Sequence, residues 1–140
     1  MVASPDDHST REEERRTLNR LSGTVIEAAI TVHKTFGPGL LESVYESALE
    51  IELKERGLFV ESQVDVPARY RGHPLGLAFR ADLLVERCLL IELKAKQALI
   101  DADLAQTATY LKLLDYRLAL ILNFSAINLT AGLKRVVNDF

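Results

Sequence analysis

Asp82, Glu92 and Lys94 are the residues whose types and spacing point to chemistry. The run Leu89-Leu90-Ile91-Glu92-Leu93-Lys94-Ala95 reads as a buried strand, yet it holds a carboxylate and an ammonium two residues apart. Side chains alternate along a strand, so Glu92 and Lys94 share one face while Ile91 and Leu93 take the other. The preceding apolar segment around Ala81-Asp82-Leu83-Leu84-Val85 is its expected antiparallel neighbour. A three-residue turn centred on Arg87 places Asp82 across from Glu92, whereas a two-residue turn makes them diagonal neighbours on opposite faces; the first register is adopted. Two opposed carboxylates repel and drive one pKa upward unless a cation sits between them. Lys94 relieves part of that repulsion. An oxygen-rich pair of acids suits a hard divalent ion such as Mg²⁺ or Mn²⁺, which keeps several waters for chemistry.

A blander account exists for each residue. Glu-x-Lys on an exposed sheet face is commonly a surface ion pair that contributes little. The Asp embedded in an apolar strand opposite it favours a site. Glu42 lies on a stripe with Gly39 and Tyr45 at i, i+3 and i+6, so it can face the sheet; in the first turn of a helix it also complements the macrodipole. Gln106 and Tyr110, at i and i+4, occupy a helical face distinct from Leu104, Ala108 and Leu111. They can hold a water or a phosphate, or Tyr110 can simply pack half-buried. His33 precedes the Gly37-Pro38-Gly39 break by one turn and either serves a site or bonds a helix end or loop carbonyl. Cys88 stands alone, with no Cys or His at ligand spacing, and reads as a strand residue.

The elements that must position these groups follow from periodicity. Leu18, Leu21, Val25, Ala28, Ala29 and Val32 mark an amphipathic helix ending near Lys34, and a second helix runs from Leu40 to about Arg56, with Gly57 as its stop. Residues 59–70, 74–86 and 88–95 are three β-rich runs whose short breaks favour an antiparallel meander. A helix from about Asp101 to Leu114 precedes an unbroken apolar strand, 116–124, of the kind covered on both sides. The remainder reads as a loop and a short terminal helix. Residues 1–16 are polar and read as a mobile arm or a frayed helical extension, leaving residues 17–140 as a single domain. Arg11, Arg15, Arg16 and Arg20 there can touch phosphates or balance Glu12, Glu13 and Glu14.

The chain has 140 residues, 48% apolar and 26% charged, which fits one globular domain with a substantial core. Its net charge of -3 argues against an indiscriminate polyanion binder, although a bound cation reverses the local field of clustered acids. No apolar run is long enough to span a bilayer. The N-terminal "MVASPDDHSTREEERR" lacks the apolar segment of a secretory signal, and with one cysteine the expected location is the cytoplasm.

Together these residues resemble the GxxExxY protein family, a branch of the PD-(D/E)xK nuclease superfamily. The naming motif stands as Gly39-Leu40-Leu41-Glu42-Ser43-Val44-Tyr45, the superfamily core as Ala81-Asp82, nine residues, then Glu92-Leu93-Lys94, and Gln106 to Tyr110 is similar to a Gln-x-x-x-Tyr motif of its exonuclease-like branches. Ala81 replaces the superfamily's proline. The resemblance implies an α/β (α+β mixed sheet) fold with a restriction-endonuclease-like core, helix, three strands, helix, strand, here with one extra N-terminal helix. It further implies a metal-dependent phosphodiester hydrolase acting on DNA or RNA, with Asp82, Glu92, the Leu93 carbonyl and Glu42 as ligands of Mg²⁺ or Mn²⁺. Lys94 would then assist the attacking water, and Gln106 and Tyr110 would orient water or substrate. The rival expectation is a binding module that keeps the fold but acts by protein contact or as a homodimer.

Overall fold

The computed structural model describes the backbone over residues 5–140 and side chains from residue 9 onward. Its elements are α1 (Pro5–Phe36), α2 (Glu42–Glu55), β1 (Val60–Tyr70), β2 (His73–Val85), β3 (Leu89–Lys94), α3 (Asp101–Leu114), β4 (Leu118–Asn123), a 3-10 turn (Leu129–Gly132) and β5 (Leu133–Val137). One five-stranded sheet has the spatial order β1-β2-β3-β4-β5. All neighbours are antiparallel except β3 and β4, whose parallel pairing requires a crossover, supplied by α3. The expected order of helix, three strands, helix and strand, with an extra helix in front, is present.

The two faces of the sheet are covered by different helices. Leu18, Val25, Ala28 and Val32 of α1, with Tyr45, Leu49 and Leu53 of α2, pack on Leu83, Ile91, Leu93, Leu118 and Leu120. On the other face Leu111 of α3 packs with Leu84, Leu90, Ala119 and Ile121, and the same cluster takes in Val66 and Phe79 from the first hairpin. β3 and β4 are therefore buried from both sides, which is why their sequences are nearly unbroken apolar runs.

The corner between α1 and α2 is fixed by Tyr45. Gly37 and Gly39 adopt φ of 72° and 107°, values that favour residues without a Cβ. The buried Tyr45 hydroxyl donates to the Gly37 carbonyl at 2.6 Å and accepts from the Leu40 N–H at 3.1 Å. Its ring stacks on Phe124 with centroids 4.6 Å apart. Nearby, His33 is buried with Nε2 2.8 Å from the Ala126 carbonyl, so it bonds a loop rather than joining the candidate site.

Several expectations are corrected. Instead of a loop and terminal helix, residues 133–137 form β5 along β4. Only Val136 of this edge strand is buried, so its short sequence carries no clear alternation. Cys88 lies in the β2–β3 turn, where its N–H donates to the Val85 carbonyl at 3.1 Å. Of the two readings of residues 1–16, the helical extension describes residues 5–16, which continue α1, and residues 1–4 lie outside the described residues. Arg11 pairs with Asp139 at 3.2 Å, and Arg15 Nε donates to the Phe140 carbonyl at 2.9 Å, tying this stretch to the chain's last residues.

Candidate active site

The β2–β3 ladder pairs Val85 with Leu89, Leu84 with Leu90 and Leu83 with Ile91, the register of a three-residue turn. It then stops. Asp82 and Glu92 come next, and their side chains take over from the backbone. The Asp82 N–H donates to Glu92 Oε1 at 3.4 Å, and the Leu93 N–H donates to Asp82 Oδ2 at 2.9 Å. Each acid thus stitches the opposite strand while its carboxyl group is held against its neighbour's.

The β1 side of the fork is irregular too. Ser62 pairs with Leu83 and Val64 with Ala81, but Gln63 between them has φ of 50° and leaves the ladder. Its side chain donates to Glu46 Oε1 at 2.6 Å and lies 3.5 Å from Asp82 Oδ1. A left-handed non-glycine residue costs about 1 kcal/mol or more and tends to accompany functional sites. No sequence signal marked Gln63. Glu46 had one: it follows Glu42 by four residues and so shares its helical face.

The electrostatics agree with this crowding. Burial, reinforced by the Asp82 charge, pushes the Glu92 carboxyl up to about 8, against the opposing pull of the Asp82 N–H and Lys94. Asp82 is also raised, chiefly by burial, while the Leu93 N–H and Gln63 favour its charged form. Each carboxyl acts on the other, Asp82 raising Glu92 and Glu92 lowering Asp82. Burial and the Asp82 charge raise Glu42, which Lys94 partly offsets. Glu46 rises mainly by burial, with the Gln63 bond acting the other way and Asp82 and Glu42 adding repulsion. Lys94 makes no ion pair among the described residues but acts on Glu42, Asp82 and Glu92 alike.

The fold therefore brings Asp82, Glu92, Leu93, Lys94 and Glu42 into one electrostatic neighbourhood. Tyr110 reaches it from the other helix: burial raises its hydroxyl, and the charges of Glu92 and Asp82 raise it further. Its ring stacks on Phe79 of β2, centroids 3.7 Å apart and planes 1° from parallel. Gln106 is exposed one turn earlier on α3 and makes no side-chain bond to the site.

Asp82 and Glu92 each accept a backbone N–H with one oxygen, and the second Asp82 oxygen lies 3.5 Å from the Gln63 amide nitrogen. Among the described residues no group of three or more His, Cys, Asp or Glu is placed to hold a metal. That donor set fits a hard cation that retains waters, and it does not fit an ion needing a complete cage of side chains.

A mixed sheet clasped between helices, with an Asp and a Glu-x-Lys at the fork of its second and third strands, defines a restriction-endonuclease-like protein. Compared with protein families, the chain matches the PD-(D/E)XK nuclease superfamily over residues 19–136. It belongs to that superfamily, whose members generally use divalent metals. No match is found among curated proteins or among solved structures.

Proposed function

We propose that this protein is a GxxExxY-type member of the superfamily that hydrolyses phosphodiesters in nucleic acid with Mg²⁺ or Mn²⁺. The observation carrying this reading is the reciprocal stitching of Asp82 and Glu92, which holds two repelling carboxyls together beside Lys94. Asp82, Glu92 and the Leu93 carbonyl would hold the cation, with Glu42 completing the site directly or through a water. When bound, the cation supplies a polarised phosphoryl group and a more acidic water. Lys94 orients the attacking water and offsets charge that grows on the phosphoryl oxygens. Tyr110, steadied by Phe79, directs its hydroxyl toward water or substrate, and Gln106 contacts the strand from the same helix. Water adds to phosphorus and gives up a proton to solvent as the bond to the leaving oxygen breaks, and that oxygen takes a proton from solvent.

The test uses purified protein with DNA and RNA substrates. Cutting should require Mg²⁺ or Mn²⁺ and should vanish in Asp82→Asn and Lys94→Ala, both of which should still fold. Asparagine keeps an acceptor for the Leu93 N–H, so Asp82→Asn isolates the lost charge. Cutting that survives both substitutions defeats the reading.

A further inference from the structure

The first hairpin outruns the sheet. β2 loses its β3 partner beyond Leu83, and the segment from His73 to Asp82 is paired only with β1. At ~3.3 Å per residue this overhang extends for about 30 Å. Phe79 and Val66 anchor its base against α3, and every residue of β2 from His73 to Ala78 is exposed. The tip is the two-residue turn Arg71-Gly72, both at positive φ, and register shifts at Val66/Pro67 and Ala68/Arg69 twist the ribbon.

Its charge is the reverse of the rest of the chain. From Asp65 to Arg80, which pair across the ribbon, there are three arginines and one carboxylate, in a protein of net charge -3. This span carries +2 and the remainder therefore -5. Arg69 and Arg71 are exposed, the guanidinium of Arg71 lies 5.2 Å over the Tyr70 ring, and Arg80 pairs with Asp65 at 2.7 Å. Tyr70, Leu75 and Leu77 are more than half exposed. Phe79 and Ala81 pack toward α3, so by alternation Arg80 between them points to the opposite face of the ribbon.

We propose that this ribbon is an arm that grips duplex DNA and delivers it to the site at its base, an inference that rests on the hydrolase reading. The basic ribbon matches a phosphate backbone, and a two-stranded ribbon fits the major groove of B-form DNA. A-form RNA offers only a deep, narrow major groove closed to side chains. Arg69 and Arg71 contact phosphates, and the exposed apolar residues line the groove.

Fluorescence anisotropy of the full chain with a labelled 20-base-pair DNA duplex in EDTA tests the arm. Arg69→Ala/Arg71→Ala should weaken binding about tenfold or more and flatten the log-log salt dependence by about two phosphate contacts, each worth ~0.9 in slope. The melting temperature should match wild type, and Arg69→Lys/Arg71→Lys should restore most of the affinity. Duplex RNA and single strands should bind about tenfold more weakly. Equal affinity and slope in the alanine variant overturn the arm, as does equal binding of RNA, or self-association that the same variant abolishes. Metal-dependent cutting with unaltered binding in that variant sinks the arm and leaves the hydrolase. Arm-dependent binding without cutting does the reverse.

Discussion

Phe79 on β2 and Tyr110 on α3 lie face to face with ring centroids 3.7 Å apart, joining the base of the long hairpin to the helix that overlooks Asp82 and Glu92. The contact has two separable parts, a packed ring and a hydroxyl.

Tyr110→Phe should therefore keep the melting temperature within a degree or two but lower cutting about 10- to 100-fold, the scale expected for loss of one positioning group. Tyr110→Ala should also destabilise, by about 2–3 kcal/mol, through loss of ring burial and stacking. Denaturant melts and single-turnover rates on the two variants separate the effects; equal rates in wild type and Tyr110→Phe would remove the hydroxyl from the mechanism.

The raised Glu92 carboxyl gives stability a definite pH dependence. Its folded value of about 8 lies above the ordinary 4.5, so the folded protein holds an extra proton between those pH values. Stability in EDTA should fall as pH climbs through that window, and the contribution of the proton is fully lost above it. Asp82 acts with the same sign. Glu92→Gln should flatten the profile and raise the melting temperature at pH 8 by several degrees. A profile that rises toward pH 8 in wild type contradicts this assignment.

Divalent ions should stabilise the wild-type chain by binding only the folded form. At a hundredfold excess over Kd, Mg²⁺ or Mn²⁺ should add about 2.7 kcal/mol. Asp82→Asn should lose most of that gain while folding normally without metal. Calorimetry near pH 7 should also register a proton released from Glu92 as the ion enters. Identical metal-induced shifts in wild type and variant would place the ion elsewhere.

Tyr45 should prove structural. Tyr45→Phe leaves the Leu40 N–H and the Gly37 carbonyl without their partner and should cost about 1–3 kcal/mol in urea melts. Cutting per folded molecule should stay near wild type, because the hydroxyl faces the glycine corner. A large loss of rate without loss of stability would mean that the corner itself carries chemistry.

How much of this was legible in sequence depended on whether a signal was local. The fork pair was readable because a hairpin of fixed turn length sets its register, and Asp82 falls beside Glu92 by counting from Arg87. For Glu42 the helical stripe alone left a first-turn helix role standing, and the family motif raised it to a site residue. Gln63 was not readable, because nothing in the composition of β1 announces a left-handed residue facing the fork. β5 escaped for a related reason: five residues with one buried position give no period. Cys88 was assigned to the strand because the apolar run begins there, whereas the hydrogen bond to Val85 closes the turn around it.

Under the proposed hydrolysis, the acids at the fork serve as seams as well as reagents. Whatever replaces Asp82 must still accept a hydrogen bond from the Leu93 amide, and whatever replaces Glu92 must satisfy the amide of Asp82. A descendant that abandoned cutting would thus be under pressure to keep both side chains merely to stay folded. Their persistence in such a lineage would record architecture, and the freely varying position to watch for lost chemistry is Lys94.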